Sequence, residues 1–450
     1  MNKTISKIDR KLLRNINQMA LPLVLNSVTG MLIGLIDQAM VGRISSIAFG
    51  AVGLIGSTFN SIAGMLGMIA VAFNILGAKN KGEGSEENFR CKFIIGICLS
   101  LFIGIIFSLM VLFFSLPVLK FVFGLKGEIL KEAMNYGKLF SLTVGLNMLL
   151  FMFSSYFKII NKTKYLFYGS TTATISNVVL NYILIFGKLG FKPMGVKGAG
   201  IASVLALTIN LCIYIIVIRK NLTLKFTSEI CKKRIIQNIK TLIKVSLPLM
   251  GQEVFESTLI VVCINAILTR IGVLELSVYT LLFSLVSIIL MPMYSYAQTS
   301  LTMVSEYLGK RDLEKTKSIP KLCLGLSLMF CIAIAVIFLF SKNHMIRIIT
   351  VDVRLVEACG IYFVYAILSN IFDVPNNIYK YSLQGMGDGA WVFLNSSTIN
   401  IIGIVLIFVF SIVLKLELYG VYLGVFINLF ILSLFNYVRY NTILKKSRKN

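Results

Sequence analysis

The chain has few acidic side chains for its size: its 450 residues include 19 Asp and Glu against 44 Lys and Arg. Charged residues make up only 14% of the sequence, whereas a soluble domain carries roughly 25%. Hydrophobic residues make up 57%, so too little polar surface remains to cover a water-soluble globule. The composition excludes an ordinary soluble protein and predicts a polytopic membrane protein.

Histidine and paired cysteines are also scarce. The only histidine is His344, and the eight cysteines include no Cys-x-x-Cys pair. A histidine-based catalytic site or a typical zinc site therefore cannot be assembled. Most cysteines lie in or beside apolar runs, where free cysteine behaves as a small apolar residue, so no disulfide is expected. We expect a protein that is not an enzyme and needs no cofactor.

Long apolar runs dominate what is present. A run of about 20 residues spans a bilayer as a helix, and a helix satisfies its own backbone hydrogen bonds in lipid. Twelve spans are predicted, near residues 19–41, 47–77, 93–119, 133–157, 167–187, 198–218, 245–269, 275–307, 321–341, 355–383, 391–414 and 418–438. The predicted fold class is an all-α polytopic membrane protein.

The sequence divides into two similar halves. A basic cytoplasmic linker, 219–244, separates an N-terminal six-helix bundle, 1–218, from a C-terminal six-helix bundle, 245–450. The tripeptide Leu-Pro-Leu opens both the first and the seventh span. Many transporters are built from such weak repeats, with the substrate site between them. The twelve helices are therefore predicted to form two pseudo-symmetric six-helix bundles.

The basic residues indicate the orientation of the chain. If the first residues are cytoplasmic and the spans alternate, most of the 44 Lys and Arg fall on cytoplasmic segments. We expect a multi-pass protein of the plasma membrane (the bacterial inner membrane) with both termini in the cytoplasm. The formal charge of +25 is then explained by the basic cytoplasmic segments and their contact with the lipid bilayer, and no nucleic-acid binding is expected. A monomer is the expected state.

Four acidic residues interrupt the apolar spans: Asp37, Glu253, Glu256 and Asp373. A carboxylate inside a membrane is costly and usually binds an ion, a proton or a cationic substrate. Glu253 and Glu256 lie three residues apart on one helical turn. Two carboxylates so close are not expected to ionise together in a low dielectric unless a cation lies between them.

Five segments resemble those of multidrug and toxic compound extrusion (MATE) transporters. The first span, ALPLVLNSVTGMLIGLIDQAMVGRI, shares its early proline, central Asp and Val-Gly-Arg ending with that family. The other four segments are Asn177–Tyr182, Gly198–Ser203, Pro248 with Glu256 eight residues later, and Asp373 twelve residues before Gly385-Met-Gly-Asp388. The similarity runs the whole length in order. No single segment is specific, but five in register are.

The resemblance implies secondary active multidrug efflux: organic, mostly cationic compounds leave in exchange for Na⁺ or H⁺ by alternating access. It implies cation-coupling roles for Asp37, Asn177, Asn181, Glu256 and Asp373, with Glu256 and Asp373 as a site for Na⁺ if sodium is the coupling ion. Where one branch of the family has Asp, this chain has Asn181, which resembles the NorM-like branch. Na⁺ and H⁺ both remain open.

Further polar groups within the spans are candidates for substrate binding. Intramembrane amides also serve simply to hydrogen-bond neighbouring helices, and that alternative stays open for each. Proline inside a helix frees a carbonyl and bends the helix, which makes three prolines hinge candidates. The substrate candidates are Asp37, Gln38, Gln252, Glu253, Tyr294, Gln298, Asn376 and Asn377, and the hinge candidates are Pro22, Pro248 and Pro375.

The main alternative is a lipid-linked oligosaccharide flippase of the same superfamily. Such proteins tend to line their cavity with Arg and Lys to meet phosphate. We interpret the charged residues deep within the spans of this chain as all acidic, which favours a drug antiporter. A membrane enzyme would need a catalytic constellation that the sequence does not show, and a passive channel would not need acids in both halves.

Overall fold

The computed structural model describes residues 2–221, 228–350 and 352–447, and every regular element in these ranges is helical. The first helices are α1 Asn2–Gly42, α2 Ser46–Gly82, α3 Glu86–Pro117, α4 Gly127–Phe140, α5 Leu142–Ile159, α6 Lys164–Phe186, α7 Val196–Asn221 and α8 Ser228–Val254. The next are α9 Val261–Ile271, α10 Val273–Ile289, α11 Met291–Gly309, α12 Leu313–Phe340, α13 Lys342–Ile349, α14 Val353–Ser369, α15 Asp373–Gly385, α16 Gly389–Phe408 and α17 Glu417–Ser447. The predicted all-α class is confirmed.

The membrane-spanning character of these helices is also confirmed. Within the described ranges, 11 spans are long and apolar enough to cross a membrane, or 12 when α10 and α11, which meet at 50°, count as one. Large apolar side chains remain exposed on them, such as Phe121 at 86% and Phe340 at 91%. Such exposure suits contact with lipid, because a helix in a bilayer needs no polar outer face.

The chain folds as two compact units. The N-terminal unit comprises Leu21–Ser246, and the C-terminal unit comprises Met1–Ala20 together with Leu247–Asn450. The predicted halves divided the chain at the basic linker 219–244, and the structure differs in grouping the first 20 residues with the C-terminal unit. One contact behind this grouping is the hydrogen bond that Tyr296 Oη donates to Asn17 Oδ1 at 2.7 Å.

Close backbone contacts position the helices of the N-terminal unit. Gly198 at the start of α7 lies against α6, where an added Cβ would be 2.7 Å from the carbonyl oxygen of Leu184. Gly104 on α3 faces Gly145 on α5 in the same way, with 2.4 Å between an added Cβ and the Gly145 Cα. Glycine is required at such positions because any side chain would push the helices apart.

Hydroxyl groups join the helices of the C-terminal unit. Ser300 on α11 shares a 2.7 Å hydrogen bond with Ser382 on α15. One turn further along each helix, Ser305 donates to the carbonyl oxygen of Gly385 at 2.8 Å. These bonds hold α15 along α11, and α15 carries several of the polar residues considered below.

The predicted tenth span, 355–383, is broken into α14 and α15. α14 ends at Ser369 and α15 begins at Asp373. Pro375 lies in the first turn of α15, where its missing N–H costs nothing, and the break removes the helical carbonyl with which its ring would clash. The break therefore places Asp373 at the start of a helix.

One expectation about cysteine is wrong. Cys91 is disulfide-bonded, although no disulfide was expected for the scattered cysteines. Spacing along the sequence does not report which thiols the tertiary structure brings together. Cys323, Cys331 and Cys359 are free and buried, as expected for small apolar residues.

Candidate functional site

In the N-terminal unit the structure brings together the predicted group of Asp37, Asn177 and Asn181. Asn177 and Asn181 lie one turn apart on α6 and are 1% and 0% exposed. Asn181 Nδ2 donates to Asp37 Oδ1 and also to Asn177 Oδ1, the latter at 3.1 Å. Asp37 on α1 is thus tied to α6 by a carboxamide.

Two further features complete this group. The hydroxyl of Ser203 on α7, which donates to the carbonyl oxygen of Ala199 at 3.0 Å, also lies near the Asp37 carboxylate. Asn181 Oδ1 is buried and has no hydrogen-bond partner in the described part of the chain. Buried polar atoms are rarely left unpaired, so this oxygen beside a carboxylate is suited to meet a bound cation or proton donor. Gln38, the neighbour of Asp37, has an exposed side chain.

In the C-terminal unit the predicted Asp373 accepts hydrogen bonds from two carboxamides on its own helix. Asn377 Nδ2 donates to Asp373 Oδ1 at 2.7 Å, and Asn376 Nδ2 donates to the same oxygen at 3.3 Å. The start of α15 adds the positive end of the helix dipole, which favours a negative charge there. Asn376 is oriented in turn by Asn436 on α17, which donates to it at 2.9 Å.

Glu256 has a different environment. It lies in the π-helical segment Phe255–Ile260, between α8 and α9. One carboxylate oxygen, Oε2, pairs with Lys380 Nζ at 2.9 Å, and the other, Oε1, accepts from Gln252 Nε2 at 2.9 Å. Single-turn π segments within helices are frequent at functional sites. Here the interruption coincides with the one acidic residue of the segment.

The remaining predicted residues are placed as follows. Glu253 Oε1 accepts a hydrogen bond from Ser257 on the next turn at 2.9 Å. Tyr294 on α11 is exposed, and its hydroxyl group interacts electrostatically with Asp373, Lys380 and Glu256. Gln298 lies one turn after Tyr294 on α11 and is half-buried. The role of each in substrate binding stays a prediction.

The three candidate hinge prolines lie in different surroundings. Pro22 lies inside α1, which continues unbroken to Gly42. Pro248 lies inside α8, and the π-helical segment begins seven residues later. Pro375 lies at the break between α14 and α15. A hinge role for each stays a prediction.

Sequence reasoning missed Lys380, Gln384 and Asn436. Lys380 contradicts the interpretation that the charges within the spans are all acids. A signal was present, because Lys380 falls seven residues after Asp373 in the same predicted span, and positions seven apart share a helical face. The described residues contain no group of three or more His, Cys, Asp or Glu side chains that could hold a metal ion.

Most of the chain is similar to known proteins. The family model described as MatE matches residues 22–183 and 248–413, well over half of the chain. A probable multidrug resistance protein NorM from Thermotoga maritima is 24% identical over 372 residues, covering 82% of this chain and 79% of that protein. The uncharacterized transporter YisQ of Bacillus subtilis is 23% identical over 430 residues, covering 92% of this chain and 90% of that protein.

Solved structures agree in fold. A crystal structure of MATE in complex with MaD3S superposes with a TM-score of 0.86 at 18% identity, covering 98% of this chain and 97% of that one. An outward-facing conformation of a multidrug resistance MATE transporter of the MOP superfamily superposes with a TM-score of 0.84 at 18% identity, with coverage of 98% and 97%. At these identities the likeness concerns the fold alone.

Proposed function

This chain belongs to the MatE family of multidrug efflux transporters, and from that premise we propose that it exports organic, mostly cationic compounds in exchange for Na⁺ or H⁺. The protein is a membrane transporter and not an enzyme. One observation carries the proposal: each unit holds a carboxylate inside a membrane span that accepts hydrogen bonds from carboxamides. These carboxylates are Asp37 with Asn181, and Asp373 with Asn376 and Asn377.

The chemistry of these groups suits a coupling ion. Carboxylate and carboxamide oxygens are the ligands that hard monovalent and divalent cations meet in proteins, and a carboxylate equally takes up a proton. The unpaired Oδ1 of Asn181 supplies one such oxygen beside Asp37. Coupling then requires that the cation and the drug bind with different affinity in two conformations, so that each displaces the other as the binding site opens alternately to the two sides of the membrane.

Efflux of ethidium from reconstituted vesicles tests the proposal. An imposed Na⁺ gradient is compared with an imposed pH gradient, for the wild type and for Asp37→Asn, Glu256→Gln and Asp373→Asn. We expect one gradient to drive efflux and the two C-terminal substitutions to abolish it. Glu314→Gln is the matched control, because it removes an exposed carboxylate at the start of α12.

Two results would count against cation-coupled drug export. Full efflux in both Glu256→Gln and Asp373→Asn would remove the coupling role of these acids. No ethidium movement under either gradient would direct the search to the flippase alternative, with a labelled polyprenyl-phosphate sugar as the next substrate. The Lys380 ammonium does not by itself favour that alternative, because Glu256 binds it at 2.9 Å.

We also propose that the transporter is a monomer in the bacterial plasma membrane with both termini in the cytoplasm. The distribution of Lys and Arg supports this orientation. Reporter fusions at the two ends would show it directly: a cytoplasmic reporter such as green fluorescent protein should be active at both, and activity of a periplasmic reporter at either end would contradict it. Light scattering on the purified protein would give the oligomeric state.

A further inference from the structure

Lys380 is a basic residue within a membrane span. It lies on α15, two turns after Asp373, and its side chain is 12% exposed while that of its partner Glu256 is 26% exposed. An ammonium group so placed loses most of its hydration, and it is retained only where a partner compensates its charge. The 2.9 Å contact between Lys380 Nζ and Glu256 Oε2 provides that partner.

The ion pair is accompanied by a second polar contact between α15 and the helical stretch containing Glu256. The second lies one turn away on each helix, where Gln384 Nε2 donates to Gln252 Oε1 at 2.9 Å. Gln252 in turn donates to Glu256 Oε1 at 2.9 Å. Both oxygens of Glu256 are therefore occupied, one by a neutral amide and the other by a full positive charge.

Glu256 and Asp373 are thus unequal. Asp373 is held by amides, and its charge stays available to a mobile cation. Glu256 already has a cation, supplied by the chain itself. Taking Glu256, Asp373 and Lys380 together, the ionised group carries a net charge of −1, because two acids face one base.

We propose that Lys380 is a specificity-determining residue whose ammonium group occupies the cation position at Glu256, so that a coupling ion or cationic drug must compete with it there. The inference takes the identity of the competing cations from the proposed function. A mobile cation reaching Glu256 meets a like charge unless the lysine moves away. The residue therefore weakens cation binding in the wild type and sets how many external charges the site accepts.

Equilibrium binding measures this competition without transport. The purified full-length protein is titrated with two probes separately, radiolabelled Na⁺ and tetraphenylphosphonium. We expect Lys380→Met to bind at least one probe about tenfold more tightly than the wild type, since removing a unit charge a few ångströms away has at least that effect at an effective dielectric constant of about 20. Lys380→Arg keeps the charge and should stay within about threefold of the wild type.

A second pair of variants keeps the test decisive if Lys380→Met unfolds because Glu256 loses its partner. Glu256→Gln and the double variant Glu256→Gln/Lys380→Met also differ by the lysine charge alone, and the double variant leaves no uncompensated carboxylate at position 256. The double variant should bind more tightly than Glu256→Gln and match the wild type, because both then carry a net charge of −1. Lys310→Met, at an exposed lysine, is the matched control and should leave binding unchanged.

Each result of the binding titrations either supports or contradicts the inference about Lys380. Equal or weaker binding of both probes after removal of Lys380, in either background, would overturn the inference. Binding by none of these proteins would overturn it too, because a site freed of its lysine should retain a cation. If binding follows the expected order but neither a Na⁺ nor a pH gradient drives ethidium efflux in the vesicle assay, the proposed function fails and the inference about Lys380 stands.

Discussion

Replacing Asn181 by leucine tests whether the hydrogen bonds in the N-terminal unit stabilise that unit. Asn181 Nδ2 is shared between the Asp37 carboxylate and Asn177 Oδ1. Asn181→Leu keeps the approximate volume of the side chain and removes both bonds. Asn177→Leu is the matched comparison, because the hydrogen bond that it loses joins two neutral carboxamides.

The expected magnitudes follow from the two kinds of bond. A hydrogen bond to a charged group contributes about 1.5–3 kcal/mol and a neutral one about 1 kcal/mol. Asn181→Leu should therefore lower the free energy of unfolding by about 3 kcal/mol and Asn177→Leu by about 1 kcal/mol. Asp37→Asn should cost about 1 kcal/mol, because an asparagine oxygen accepts the same bond from Asn181 but without the charge of the carboxylate.

Thermal unfolding in detergent, followed by size-exclusion chromatography after heating, measures the order. At about 2–4 °C per kcal/mol, Asn181→Leu should lower the Tm by about 6–12 °C and Asn177→Leu by about 2–4 °C. Asp37→Asn should lower the Tm by only about 2–4 °C and yet lose ion-driven ethidium efflux, which separates the stabilising role of the bond from the role of the charge in transport.

The opposite order would refute this reasoning. If Asn177→Leu lowers the Tm as much as Asn181→Leu, the bond to the Asp37 carboxylate contributes nothing beyond a neutral one. If Asp37→Asn lowers the Tm as much as Asn181→Leu, the negative charge itself is needed for stability. The first result would remove the energetic basis for treating Asp37 and Asn181 as a pair, and the second would show that the bond depends on the charge more strongly than expected.

Three further predictions concern other contacts. Gly198→Val should lower the Tm strongly, because its Cβ would lie 2.7 Å from the Leu184 backbone. Gly53 has open space around it, so Gly53→Val should lower the Tm much less in the same heating assay. Asp388→Asn should cost about 1 kcal/mol or less, because its 2.8 Å pair with Arg439 is partly exposed; a larger loss in thermal unfolding would show that the pair is better shielded than its exposure indicates. Glu253→Gln should reduce ethidium efflux less than Glu256→Gln, because Glu253 bonds only within its own helix in the contacts described, and equal losses in the vesicle assay would contradict this.

Much of the fold could be predicted from the sequence because each membrane helix can be recognised from its own stretch of residues. Each span is a continuous apolar run, and the lipid imposes helix on every such run. The pairing of Asn177 with Asn181 followed from their spacing of four residues, which places two side chains on one helical face. The prominence of Asp37, Glu256 and Asp373 followed from the cost of acids in lipid.

Contacts between helices could not be predicted in this way. Glu256 and Lys380 are 124 residues apart in sequence, and their pairing depends on how far two helices are rotated about their axes and shifted along them. No periodicity within one helix reports those two quantities. For the same reason the sequence did not indicate Ser203 beside Asp37 or Asn436 beside Asn376.

The sequence by itself determined the membrane class, the twelve-span plan and the acids that belong to the candidate site, because composition and spacing act within single helices. The tertiary structure decided how those acids differ. It broke the tenth span so that Asp373 begins a helix, placed Glu256 in a π-helical segment, and brought Lys380 to Glu256 while leaving Asp373 with amides. Electrostatic environment depends on distance and burial in three dimensions, and these arise only when the helices pack.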